Sequence, residues 1–126
     1  MPTLLIFGDS DTHGTRPIVD GGDYRHLDAK AKWRCITKEA LRDKWLLIEE
    51  GLPDRTTCFD VSIMGSFING WVGLKIALSS HGNNLLKIIL RTNDCKTLFG
   101  NSVRDILGGV SGLWAIAQNA SFQGPY

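Results

Sequence analysis

Apolar residues fall in short runs separated by polar turns, and the spacing inside them alternates between strand-like and helical. The run from Thr3 to Phe7 stops at Gly8-Asp9-Ser10, which predicts a strand buried on both faces and leading into a tight turn. Between Asp28 and Lys44 the period is helical: Trp33, Ile36, Ala40 and Leu41 share one face, while Lys32, Lys38, Glu39, Arg42 and Asp43 take the others. Trp45-Leu46-Leu47-Ile48 predicts a second buried strand, closed by Glu49-Glu50-Gly51 and a polar loop running to Asp60. A second helix is expected from Ser66 to Ser80, with Phe67, Trp71, Leu74 and Leu78 sharing one face and His81 at its carboxyl end, where the helix dipole favours it. A third strand is expected from Leu85 to Leu90. Lys87 interrupts it, so the strand is exposed there or the ammonium is paired or reaches water.

The last helix is the best patterned. Val103, Ile106, Leu107, Val110, Leu113, Trp114 and Ala117 form an apolar stripe, and Ser102 with Asp105 predicts a capping box at its start. Three glycines inside it each cost about 1 kcal/mol relative to alanine, so packing must hold this helix. Strands alternating with helices predict an α/β domain with a parallel sheet. Such sheets bind ligands beyond the carboxyl ends of their strands, and all three ends are polar here: Gly8-Asp9-Ser10, Glu49 to Thr57, and Arg91 to Asp94.

Length and composition narrow this picture. With 126 residues there is room for one domain. Fourteen Lys and Arg against 13 Asp and Glu leave a net charge of +1, which supplies no basic field for nucleic acid. The longest early apolar run, Leu4 to Phe7, is too short for a secretory segment, and no stretch approaches a membrane span, so a cytoplasmic chain is expected. Cys35, Cys58 and Cys95 are widely spaced, without a C-x-x-C pair, and read as reduced thiols.

A serine on a sharp turn after a buried strand can attack a carbonyl carbon if a base takes its proton, and an asparagine at a neighbouring strand end offers a neutral donor to the forming oxyanion. Phe7-Gly8-Asp9-Ser10-Asp11-Thr12-His13-Gly14 resembles the nucleophile block, F-G-D-S-x-T-x-G, of the SGNH hydrolases, the family of GDSL-type esterases, lipases and acyltransferases. Ile48 to Thr57 resembles the second block of the arylesterase branch, followed by Asn69-Gly70, and Ile88 to Asp94 resembles the third block, G-T-N-D. The resemblance implies a three-layer α/β/α domain with a parallel, flavodoxin-like sheet. Within it, residues 1–126 would form a single partial domain lacking the C-terminal strands and helix.

The same resemblance implies Ser10 as nucleophile, with its backbone N–H as one oxyanion donor. Asp54 would give a second donor through its backbone N–H, and Asn93 a third through its side-chain amide. Asp9 would orient the turn, and His13 would line the pocket. Cleavage of a small-molecule carboxylic ester follows, with no cofactor and no metal.

Several positions depart from the family pattern. Asp54 stands where a small residue is usual, and its carboxylate would oppose a forming oxyanion. Arg91 replaces a glycine, and Asp11 is unusual beside a nucleophile. The family's late D-x-x-H block, which carries the base, does not follow the third block here. Asp23-Tyr24-Arg25-His26 has that spacing but the wrong place in the order, so His26 is not assigned as base. Loss of a triad member leaves about 10³–10⁴-fold catalysis over water in serine proteases, and a weak or silent enzyme is expected. The alternatives are a truncated, non-catalytic remnant that binds a ligand or self-associates through an open sheet edge, and a Mg²⁺-dependent phosphotransferase built on Asp9-Ser10-Asp11-Thr12.

Overall fold

The computed structural model describes residues 1–13, 33–61, 65–90, 92–96 and 99–122. Three parallel strands, β1 (Thr3–Gly8), β2 (Leu46–Gly51) and β3 (Leu85–Ile89), form a sheet in the order β2-β1-β3. Thr3 pairs with Leu46 and Leu4 with Leu85, so all three strands run in step and end side by side. The central position of β1 explains its uninterrupted apolar run: Leu5 and Phe7 face one side, Leu4 and Ile6 the other, and all four are buried. Both faces of the central strand are therefore covered, as the layered α/β reading requires.

Among the described residues four α-helices accompany the strands: α1 (Ser10–His13), α2 (Trp33–Leu41), α3 (Gly70–Ser80) and α4 (Val103–Gln118). The core joins Leu5 and Phe7 of β1 to Leu74, Ala77 and Leu78 of α3 and to Leu113 and Ile116 of α4. The capping box appears as expected: the Ser102 hydroxyl accepts from the Asp105 N–H, and the Asp105 carboxylate accepts from the Ser102 N–H at 2.8 Å. Those bonds from Ser102, the backbone one first, hold the Asp105 carboxyl below the ordinary aspartate range.

Four expectations need correction. The second helix begins at Gly70 rather than Ser66, because Asn69 caps it by accepting the Trp71 N–H at 3.0 Å; residues Ser66–Ile68 form a 3-10 turn that leaves Phe67 exposed. Of the expected apolar stripe of α4 only Leu113 is buried, joined in the core by Ile116 from outside the stripe, while Val103, Leu107, Val110 and Trp114 are exposed, Val110 and Trp114 lining a hollow with Ile88 and Leu90 at the outer strand β3. In α2, Ile36 is exposed as well, and the part of that predicted helix before Trp33 lies outside the described residues. Lys87 stands exposed on β3, and the expected burial of the second strand fails likewise, with Leu46 exposed, because β2 and β3 both lie at the edges of the described sheet.

The glycines of α4 are not equivalent. A Cβ at Gly109 would collide with the Thr57 side chain, and one at Gly112 with the indole of Trp71, whose Nε1 donates to the Gly109 carbonyl at 2.9 Å. Close approach of α4 to the body of the protein therefore requires both. Gly108 meets nothing within 4 Å of such an atom. Gly108→Ala is expected to raise stability by about 0.5–1 kcal/mol, the helix-propensity difference, whereas Gly112→Ala should lower it by about 1–3 kcal/mol through overpacking. Urea unfolding of the two variants checks this; equal midpoints would show that α4 does not pack on Trp71.

Candidate functional site

Because β2 and β3 flank β1 in parallel, the three polar loops leave the sheet at the same end. The first is the shortest. β1 stops at Gly8, and α1 starts two residues later at Ser10. Only glycine fits before this turn, since a Cβ at Gly8 would collide with the Thr12 side chain and approach the Ile89 carbonyl. Asp9 and Thr12 are buried, while Ser10 between them is partly exposed. The turn thus hides its structural residues and presents the serine. Asp9 is only 3% exposed, which does not suit the attacking carboxylate of a phosphotransferase. The side chains of Asp11 and His13 lie outside the described residues.

The second loop turns at Leu52-Pro53-Asp54-Arg55, closed by a bond from the Arg55 N–H to the Leu52 carbonyl at 3.2 Å. Asp54, third in this turn, has φ +65°. A proline second and a positive φ third are the marks of a type II turn, whose third position suits glycine best and tolerates Asp among the few exceptions. The Asp54 carboxylate does not remain uncompensated. Its Oδ1 accepts from Lys96 Nζ at 2.6 Å, with both side chains a little over one-third exposed.

Arg55 is the residue that sequence reasoning passed over. Its side chain runs back under the site, where Nη1 donates to the Glu50 carbonyl at 2.6 Å and to the Gly8 carbonyl at 3.2 Å. The guanidinium carbon lies 4.1 Å from the centroid of the Phe7 ring, a cation–π contact. One buried cation therefore ties the end of β1, just before Ser10, to the end of β2. Burial lowers its pKa to about 10, against the opposing influence of the Glu50 and Asp9 carboxylates, so it stays charged at neutral pH. Its spacing from Gly8 in sequence carries no signal of this contact.

The third loop is a 3-10 turn, Thr92–Cys95. Asn93 Nδ2 donates to the Arg55 carbonyl at 3.0 Å, which uses one of its two amide hydrogens. The neighbouring Asp94 is fully buried and serves the structure instead, its Oδ1 accepting the Thr57 N–H at 2.8 Å and its Oδ2 the Thr57 hydroxyl at 2.5 Å. Asn69-Gly70 fastens the far side of the second loop. Asn69 Nδ2 donates to the Cys58 carbonyl at 3.0 Å, and the Gly70 N–H to the Thr56 carbonyl at 2.9 Å. The second and third loops are thus cross-linked directly, and the strand end before Ser10 is joined to the second loop both by the Arg55 side chain and by the Leu52 N–H, which donates to the Gly8 carbonyl at 3.2 Å.

Of the three histidines, His81 alone has a described side chain. It caps the end of α3, as its place in the sequence suggested, and its Nε2 pairs with Glu50 at 2.8 Å. With Thr3, Leu46 and Asn84 it lines a cavity of about 430 Å³ near the starts of the strands, away from Ser10. His26 and Arg91 lie outside the described residues. Among the described residues, no group of three or more His, Cys, Asp or Glu side chains gathers in a way that could hold a metal ion, and no helix is long and apolar enough to cross a membrane.

No protein-family model matches the sequence, and no curated protein matches it. Solved structures do. The native aryl esterase of M. smegmatis is 33% identical, with a TM-score of 0.86 over 92% of this chain and 54% of its own. Est24, a carbohydrate acetylesterase from Sinorhizobium meliloti, is 32% identical, with a TM-score of 0.86 and the same coverage of 92% and 54%. AlinE4, an SGNH-hydrolase family esterase, shares the fold at 24% identity and a TM-score of 0.65, over 93% of this chain and 53% of its own. The chain spans about half the length of these structures.

Proposed function

Because this chain belongs to the SGNH-hydrolase family, we propose that its three strand-end loops form the nucleophile and oxyanion half of an ester hydrolase site, with Ser10 accepting the acyl group of a small carboxylic ester. The Ser10 Oγ attacks the carbonyl carbon, its hydroxyl proton passing to solvent water, and the carbonyl oxygen takes up the displaced electron pair as a negative charge. Three neutral donors meet that oxygen: the backbone N–H groups of Ser10 and Asp54, and the second N–H of the Asn93 amide. Collapse of the tetrahedral species expels the alcohol oxygen, which takes a proton from water or leaves as a stable anion, and the acyl-serine that remains is hydrolysed by water to the carboxylic acid and the free Ser10 hydroxyl. Donors already held by other bonds need no reorganisation as the charge develops, which is why such sites are effective.

The observation that carries this reading is the bond from Asn93 to the Arg55 carbonyl. It fixes one hydrogen of the amide on the second loop beside Asp54, and so leaves the other to point elsewhere. The aryl and carbohydrate esters acted on by the similar proteins support a small ester as substrate. Among the described residues none stands as the base for Ser10, so acylation by an activated ester is the step these groups promote best, and turnover by them alone is slow.

The test is chemical. On incubation with 4-nitrophenyl acetate, the chain is expected to release nitrophenolate and to carry an added acetyl group on the peptide containing Ser10, found by mass spectrometry after digestion. Acetyl groups confined to lysines, with Ser10 untouched, would overturn the proposal.

A further inference from the structure

We propose that Lys96 is a positioning residue made necessary by Asp54: it holds the carboxylate of that residue away from the oxyanion site and cancels its charge there. The inference rests on the ester-hydrolase reading above and adds a residue to it. Asp54 occupies a left-handed position, φ +65°, in a turn that supplies a backbone N–H to the site. Glycine would fit that turn without placing any charge beside it. An aspartate brings a carboxylate within a residue's reach of a forming negative charge, and uncompensated it would raise the energy of the transition state rather than that of the bound ester.

The compensation comes from the other oxyanion loop. Lys96 follows directly on the turn that carries Asn93, and its N–H donates to the Asn93 carbonyl at 3.2 Å. From there Nζ reaches across to Asp54 Oδ1 at 2.6 Å. The ion pair and the Asn93–Arg55 bond therefore span the same two loops, and each fixes one of the two donors those loops supply. Arg55 cannot replace Lys96, since its guanidinium is buried below the site on the carbonyls of Gly8 and Glu50. Partly exposed ion pairs contribute little to folding, so the value of this one lies in where it puts the carboxylate.

Removal of the ammonium should show in rate far more than in stability. The experiment measures the Ser10-dependent rate with 4-nitrophenyl acetate, defined by subtracting the rate of Ser10→Ala. Lys96→Met, which keeps the apolar stem, is expected to lower that rate about ten-fold, as an uncompensated charge several Å from the oxyanion would. Lys96→Arg should retain most of it. In the presence of Asp54→Gly, the loss caused by Lys96→Met should shrink to less than about two-fold. An equal loss with and without Asp54→Gly would overturn the proposal.

Urea unfolding of the same proteins separates this inference from the reading it rests on. Lys96→Met is expected to move the midpoint by about 0.3 M or less, and only while Asp54 is present. If no Ser10-dependent rate exists in the parent chain, the ester-hydrolase reading fails. The pairing then stands on the conditional midpoint shift, or falls if the shift is the same with Asp54→Gly.

Discussion

Asn93→Ala is expected to lower the rate of Ser10 acylation by 4-nitrophenyl acetate by about 10²–10³-fold, the usual cost of deleting one preorganised oxyanion donor. The size of this effect follows from how the amide is held. One hydrogen is committed to the Arg55 carbonyl at 3.0 Å, so in the proposed site the side chain is held in place and the other hydrogen would meet the oxyanion at little entropic cost. The loss belongs to the chemical step: KM should change little, because a neutral carbonyl oxygen gains far less from the donor than an oxyanion does. Folding should survive, since Asn93 is only partly buried and gives up a single hydrogen bond, about 1 kcal/mol. Asn93→Asp provides a sharper control, keeping the shape but replacing the donor with a like charge, and should be at least as impaired. A loss of less than about three-fold in either variant would remove Asn93 from the site.

The largest stability effect is expected one residue further on. Asp94→Ala should cost about 3 kcal/mol or more, a substantial share of the 5–15 kcal/mol typical of a small domain. The carboxylate is fully buried and receives both the N–H and the hydroxyl of Thr57, which is itself fully buried. Deleting it leaves two donors without water and without a partner, each costing about 1–3 kcal/mol. The damage would spread, because the Thr57 side chain is also the surface on which Gly109 of α4 rests. Asp94→Asn keeps one carbonyl acceptor and should cost roughly half as much. Urea unfolding reads both, and a Thr57→Val partner tests the coupling: the loss from Asp94→Ala should shrink markedly once the hydroxyl is gone. A loss under about 1 kcal/mol for Asp94→Ala would contradict this bonding.

Asp94 and Asn93 show how neighbouring residues divide labour. The buried carboxylate fixes the third loop to the second, and this sets where the amide beside it stands. Nothing in the tripeptide Thr92-Asn93-Asp94 distinguishes the two roles, since Asn and Asp both serve in turns. The distinction comes from Thr57, which approaches from a loop 37 positions earlier in the chain.

The same division runs through the whole molecule. β1 was legible because a strand in the middle of a parallel sheet is covered on both faces, and the run from Leu4 to Phe7 has the composition this demands. The start of α4 was legible because Ser102 and Asp105 satisfy each other's backbone locally. The three polar strand ends were legible because parallel strands in step must end together. Periodicity misled where it gives a face without saying what covers it. Val103, Leu107, Val110 and Trp114 share the helical spacing of buried residues, yet they stand outside the core, and Val110 and Trp114 flank β3 where the sheet has no further strand among the described residues. The glycines of α4 likewise read as a weakness in the chain, whereas Gly109 and Gly112 are what lets the helix approach Thr57 and Trp71.

What the sequence determined by itself is therefore everything that rests on near neighbours: strand and helix identity, the cap, the sharp turn at Ser10, and the residue types available at the strand ends. Only the tertiary structure decided what those residues do to each other. The carboxylate of Asp54 looked like an obstacle to oxyanion chemistry until folding brought Lys96 to within 2.6 Å of it. Arg55 had no visible role until its guanidinium reached the carbonyls of Gly8 and Glu50. The physical reason is range: propensity and turn chemistry act over a few residues, while charge compensation and buried hydrogen bonds join groups from distant parts of the chain, and only the fold brings them together.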